Sequence, residues 1–186
     1  MSTEILRLPV GNWKEYRDLR LRALREDPEA FSSSYAATQE QPDEYWKDRL
    51  AEALRGERSW LLFAKEGDKL VGMIGAFVEA KSSDTATVVS VYVPREERGK
   101  GVSAALMEEM LRVLSESAEL RKAELVVNVS QSQAIQLYLR FGFRETGRQP
   151  STTGAGQDVE QVVMERQLAS RQPWRGACPD GRGLAR

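Results

Sequence analysis

Apolar positions recur every three or four residues from 13 to 26. Trp13, Tyr16, Leu19, Ala23 and Leu24 fall near one face, Asn12 is placed to cap the start, and Asp27-Pro28 stops the run. The same spacing returns in Tyr45, Trp46, Leu50 and Leu54, opened by Pro42-Asp43 and closed by Gly56. Between these two helices, residues 28–42 mix Pro, Ser and Gln with Phe31 and Tyr35 and read as a partly ordered connection. The period then shortens. Glu4–Leu8 alternates weakly as a first strand, and Trp60–Lys65, the turn Gly67-Asp68 and Lys69–Ala80 make a hairpin. Lys81–Asp84 is a loop. Thr85–Val93 is a strand with both faces buried in its second half.

Helical spacing resumes over Val102–Leu114, with Val102, Leu106, Met110 and Val113 inward. Glu124–Val129 is another buried strand. Ser130-Gln131-Ser132 then offers a cap to a helix with Ala134, Leu137, Tyr138 and Phe141 on one face and Gly142 just past its end. Phe143–Gly147 and Asp158–Leu168 are strands around a Ser/Thr/Gly-rich loop at Pro150–Gly156. The order is β-α-α-β-β-β-α-β-α-β-β, an α/β chain with a mixed sheet.

Composition narrows the chemistry. With 186 residues, 41% hydrophobic and 30% charged, one globular domain over 1–168 is expected. Residues 169–186 differ: four arginines stand against one aspartate, among prolines and glycines without periodicity, so they read as a disordered basic tail. A formal net charge of −1 gives no general field for nucleic acid or a membrane, and no apolar run is long enough to span a bilayer. The single cysteine, Cys178, excludes an internal disulfide framework, and with no secretory layout at the N-terminus the expected location is cytoplasmic. There is no histidine, so triads and metal sites built on it are excluded and no metal is expected.

The most chemically loaded stretch is Arg98-Gly99-Lys100-Gly101-Val102-Ser103, between the strand that ends at Pro94 and the helix behind it. Two glycines let the backbone turn its amides to one point, and the helix start adds free N–H groups and a positive dipole end. Such a turn suits a pyrophosphate. The spacing is not Gly-x-x-x-x-Gly-Lys-Ser/Thr, and Ala104 stands where a dinucleotide fingerprint would need its third glycine. Arg98-x-x-Gly101-x-Ser103 instead resembles the acyl-CoA loop of the GNAT superfamily of N-acetyltransferases, with Ser at the last position. The run from Ser130 to Phe143 is similar to that family's Asn-x-x-Ala-x-x-Leu-Tyr…Gly-Phe signature, with Gln131 where Asn is usual.

The resemblance covers residues 4–168 and implies an acyl-CoA N-acyltransferase fold that takes acetyl-CoA as co-substrate. It implies that strands 85–93 and 124–129 are parallel and splay apart. The pantetheine arm enters the gap, pairs near Val91 and Val93, and meets Gln131. The pyrophosphate lies on Arg98, Gly99, Lys100, Gly101, Val102 and Ser103. Tyr138 becomes the general acid toward the leaving thiolate. The fourth strand carries no carboxylate, so the base stays open among Glu79 at the end of the preceding strand, a water ordered by Ser90 or Tyr92, and an amine that arrives neutral.

Acceptor recognition is expected from the two N-terminal helices and loops 28–42 and 149–157. Trp13, Phe31, Tyr35, Tyr45 and Trp46 are the aromatic candidates, and Glu40, Asp43 and Glu44 the acidic ones. The expected reaction is direct acetyl transfer to a primary amine, first of a small molecule. A protein or peptide amine and a non-catalytic acyl-CoA-binding module are the alternatives, and association as a homodimer is compatible with each.

Overall fold

A computed structural model of the chain describes residues 3–82 and 84–169. The expected basic tail, 169–186, lies outside the described residues apart from Ala169.

Seven strands form one sheet: β1 (Glu4–Leu6), β2 (Ser59–Glu66), β3 (Lys69–Val78), β4 (Thr85–Tyr92), β5 (Lys122–Asn128), β6 (Arg144–Thr152) and β7 (Asp158–Gln167). Their spatial order is β1-β2-β3-β4-β5-β7-β6, antiparallel except for the parallel pair β4–β5. The helices are α1 (Trp13–Glu26), α2 (Tyr35–Gln39), α3 (Asp43–Arg55), α4 (Val102–Ser115) and α5 (Ser132–Arg140).

Each sheet face carries its own core. Over one face, α1 and α3 bury Leu19, Leu24, Trp46 and Leu50 against Phe63 and Met73. Trp46 meets Tyr16 edge-on at 5.3 Å, and Tyr16 meets Phe63 at 5.5 Å. Over the other, α4 buries Leu106, Met107, Met110 and Leu114 against Leu62, Ile74 and Val88, with Leu137, Tyr138 and Phe143 continuing the same cluster. A side chain at Gly72 would meet Leu106 at 2.9 Å and Val102 at 3.0 Å, so its absence lets the start of α4 lie directly on β3.

Several expectations change in detail. The connection 28–42 contains α2, because Ser34 accepts the Ala37 N–H at 3.2 Å and caps a short helix there. Asn12 does not cap α1 through its side chain, which donates to Glu15 instead. Leu54 is 40% exposed, and Ala53 takes the inward position on α3. Part of the expected 150–156 loop is strand: β6 runs to Thr152, and Pro150 is tolerated because β6 is the sheet edge, where its missing N–H breaks no ladder.

Strands 85–93 and 124–129 were expected to be buried, yet Val89, Ser90 and Val91 are half-buried and Val126 is 41% exposed. The reason is that β4 and β5 pair only from Thr85–Lys122 to Thr87–Glu124 and then part. On its other side, β4 places two residues, Ser90 and Val91, between Val89 and Tyr92, where β3 places one, Ile74, between Gly75 and Met73. The extra residue is a bulge at Ser90, whose φ of 57° is the only positive value among the described non-glycine residues. A bulge bends its strand, and here β4 bends away from β5.

Candidate active site

The parted strands bound a cleft of about 770 Å³. One wall is Val88–Tyr92 of β4 with Val93 just beyond it, and the other is Leu125–Val127 of β5; α5 and its approach contribute Gln131, Leu137 and Tyr138. The cleft ends on the turn before α4, where Gly99 and Gly101 have φ of 78° and 86° and open space where a Cβ would sit. Among the described residues, no backbone or side-chain acceptor takes the amides of 99–104, and α4 has no side-chain cap. Six adjoining free N–H groups at a helix start can hold an anion without any help from side chains.

The side-chain charges of this turn are largely engaged. Arg98 Nε donates to the Val93 carbonyl at 2.9 Å, and its guanidinium pairs with Asp27. Lys100 does not line the cleft; its Nζ pairs with Glu97 at 2.7 Å, and that partner raises its pKa. Val91, Val93, Arg98, Gly99, Gly101, Val102, Ser103, Gln131 and Tyr138 all lie on the cleft wall. Of the residues expected to hold the cofactor, Lys100 alone stands off it.

Tyr138 is 7% exposed, with its ring edge-on to Phe143 at 6.1 Å. Its hydroxyl has no hydrogen-bond partner among the described residues, and burial pushes its pKa up to about 12. It therefore stays protonated throughout the neutral range. Tyr92 differs: its hydroxyl donates to Glu26 at 2.7 Å, and burial followed by that carboxylate raises its pKa.

A second cleft of about 940 Å³ opens beside the first. Both are lined by Ala30, Phe31, Val88, Val89, Ser90 and Val126, so they meet at the bulge. Loop residues Phe31–Ser33 overhang the second cleft, and the β6–β7 turn holds them: Gly154 N–H donates to the Phe31 carbonyl at 2.7 Å. Neither cleft is lined by Glu79, an exposed residue just past β3 whose carbonyl accepts from Arg58 at 2.6 Å. Glu40, Asp43 and Glu44 are likewise absent from both linings, as are Trp13, Tyr35, Tyr45 and Trp46. Of the aromatic candidates only Phe31 lines a cleft.

Sequence reasoning missed Arg20 of α1 and Arg49 of α3, which line the second cleft with Glu52, Arg55 and Arg58. The available signal was weak: each arginine sits one residue from a buried leucine, Leu19 or Leu50, which places it at the border of the apolar stripe.

The acetyltransferase (GNAT) family model matches residues 15–143. An L-2,4-diaminobutyric acid acetyltransferase of Marinococcus halophilus is 36% identical over 73 residues, 39% of this chain and 42% of that protein. An L-amino acid N-acetyltransferase of Escherichia coli (strain K12) is 27% identical over 135 residues, 72% of this chain and 81% of that protein. A spermidine N-acetyltransferase from Vibrio cholerae, solved with CoA and spermine, shares the fold with a TM-score of 0.71 at 16% identity, over 89% of this chain and 95% of that one.

Proposed function

The chain belongs to the acetyltransferase (GNAT) family, and on that premise we propose that it transfers acetyl from acetyl-CoA to the primary amine of a small molecule within a ternary complex. The observation that carries this reading is the junction of two clefts at Ser90, one of which ends on six unpaired amides. That geometry fits an extended donor with a pyrophosphate at one end and a reactive group at the other. The names of the curated relatives support a small-molecule amine as acceptor.

Acetyl-CoA supplies a thioester carbonyl open to attack by an amine. In this proposal the amides of Gly99–Ala104 hold the pyrophosphate, and Arg98 acts through the turn, tying it to Val93 and Asp27. The main chain at Val91 pairs with the pantetheine amides, with the Gln131 side chain beside it. The second cleft admits the amine, which reaches the carbonyl at the bulge.

Tyr138 donates a hydrogen bond to sulfur as negative charge develops there. With its pKa near 12, full proton transfer to a thiolate of ordinary pKa, about 8.5, runs uphill. The phenol therefore acts by stabilising the departing charge, and the proton shed by the amine nitrogen balances the thiol product. An ammonium would have a further proton to lose, and among the described residues no carboxylate on the first cleft's wall is free to take it: Asp27 and Glu97 are both paired with cations. An amine that arrives neutral meets this condition.

The test is acetyl-CoA turnover across an amine panel, read as thiol release and as acetylated product. Amine-dependent release with matching product supports the proposal. Acetyl-CoA binding without transfer to any amine would leave a binding module instead.

A further inference from the structure

The second cleft contains an unpaired cation pair. Arg20 enters from α1 and Arg49 from α3, and both line it. Arg20 Nη1 is fully shielded by protein and has no hydrogen-bond partner among the described residues. Its guanidinium stacks on Phe31, with its central carbon 4.5 Å from the ring centroid. Arg49 is fixed differently: Nε donates to the Tyr16 hydroxyl at 3.0 Å, and the group lies 5.6 Å from the Tyr45 ring centroid.

Among the described residues neither arginine has a carboxylate within ion-pair distance, although the protein pairs Arg22, Arg95, Arg98, Arg112 and Arg148. Glu52 and Glu57 share the lining and pair with neither. Burial, opposed by Tyr16 and reinforced by the neighbouring Arg49, holds the Arg20 pKa below the usual arginine value. Two like charges in a half-buried wall with no counterion among the described residues are a cost, even though, against burial, Tyr16 and Tyr45 raise the Arg49 pKa. An anion in the cleft would remove it.

We propose that Arg20 and Arg49 form a carboxylate subsite, so that the acceptor is an amine that also bears a carboxylate, an amino acid or a close analogue. This rests on the acetyl-transfer reading and narrows its substrate class. A planar carboxylate suits guanidinium groups, which donate two parallel N–H bonds and can stay charged when half-buried. Phe31 serves both clefts, stacking on Arg20 on one side and bounding the cleft junction on the other. A molecule held by its carboxylate at Arg20 and Arg49 therefore extends past Phe31 toward Ser90, where its amine would meet the donor. A polyamine offers these arginines only further positive charge.

The test is calorimetric binding to the protein saturated with CoA. The panel is the standard L-amino acids with L-2,4-diaminobutyrate, each against the amine left when its carboxylate is removed, together with spermidine and phosphoethanolamine. The best amino acid should bind about 10- to 100-fold more tightly than its decarboxylated partner, and Arg20→Gln or Arg49→Gln should collapse that ratio with CoA affinity unchanged. Arg20→Lys and Arg49→Lys, which keep the charge but lose the fork, should fall between.

Equal or tighter binding of the decarboxylated amines, of spermidine or of phosphoethanolamine would overturn the subsite, as would no amino-acid binding at all. The wild-type comparison stands even if a variant misfolds. Transfer assays on the same panel separate the two readings. Transfer to amines regardless of carboxylate removes the subsite and keeps the acetyltransferase. A carboxylate preference in binding without any transfer does the reverse.

Discussion

Removing one oxygen from Tyr138 isolates its part in the chemistry. Tyr138→Phe keeps the ring against Phe143 and the apolar contacts of α5. The hydroxyl has no partner to strand among the described residues, so the melting temperature should be nearly unchanged. Turnover should fall by about 10²-fold, toward the low end for a proton-donating group, because the phenol stabilises charge rather than surrendering its proton. Acetyl-CoA affinity should stay within about twofold. Steady-state kinetics beside calorimetry check this, on an acceptor for which chemistry limits the rate. A loss under about threefold would return Tyr138 to a packing role.

At the scale of elements, the second cleft depends on one close backbone approach. A Cβ on Gly154 would lie 2.2 Å from the Ser33 carbonyl oxygen and 2.8 Å from the Ser34 nitrogen. Gly154→Val must push the β6–β7 turn off loop 31–34 and break its bond to the Phe31 carbonyl. The acceptor KM should rise about tenfold or more while acetyl-CoA affinity holds, because the amide cradle lies on another element. Kinetics with both substrates varied would show it, and an unchanged acceptor KM would mean that Phe31 is held by other contacts.

The same scale marks what the sequence could disclose. Helical and strand periods located α1, α3, α4 and α5 and most of the strands. The glycine turn before α4 is legible because its glycines and its position before a helix are local properties. The bulge was not: Ser90 carries no signal of a positive φ, and the extra residue shows only against its partner β3. Arg20 and Arg49 lie 29 positions apart on different helices and look like ordinary helix charges until α1 and α3 pack together. Glu79 is the acidic residue nearest along the chain, and the fold carries it away from the cleft junction.

Across the whole molecule, a belt of ion pairs fastens the end of α1 to the turn before α4. Arg22 contacts Glu26 at 2.6 Å and Glu96 at 2.8 Å, Lys69 reaches Glu96 and Glu97 at 3.3 and 3.4 Å, and Asp27 holds Arg98. A backbone hydrogen bond and then Arg22 bring the Glu96 pKa down to about 2, and Arg22 also lowers that of Glu26. For a carboxylate whose folded pKa lies below its unfolded one, the stabilisation is present above the unfolded value, about 4.3. It is lost as pH falls toward the folded value. Melting temperature should therefore drop between about pH 4.5 and pH 2, and the gap between wild type and Glu96→Gln should close over that window. Added salt should narrow the gap at pH 7, since these groups are exposed. A gap of equal size at pH 2 and pH 7 would show that Glu96 acts through something other than its charge.

Calorimetric titration of acetyl-CoA into the wild type and into Gly101→Asp asks whether the parted strands and the turn behind them hold this donor. The variant places a β-carbon and a negative charge on a residue with φ of 86°, at the centre of the amides assigned to the pyrophosphate. The wild type should show one site per chain, and a variant that still gives a cooperative melt should bind at least about a hundredfold more weakly. Equal affinity in the two folded proteins would contradict that assignment.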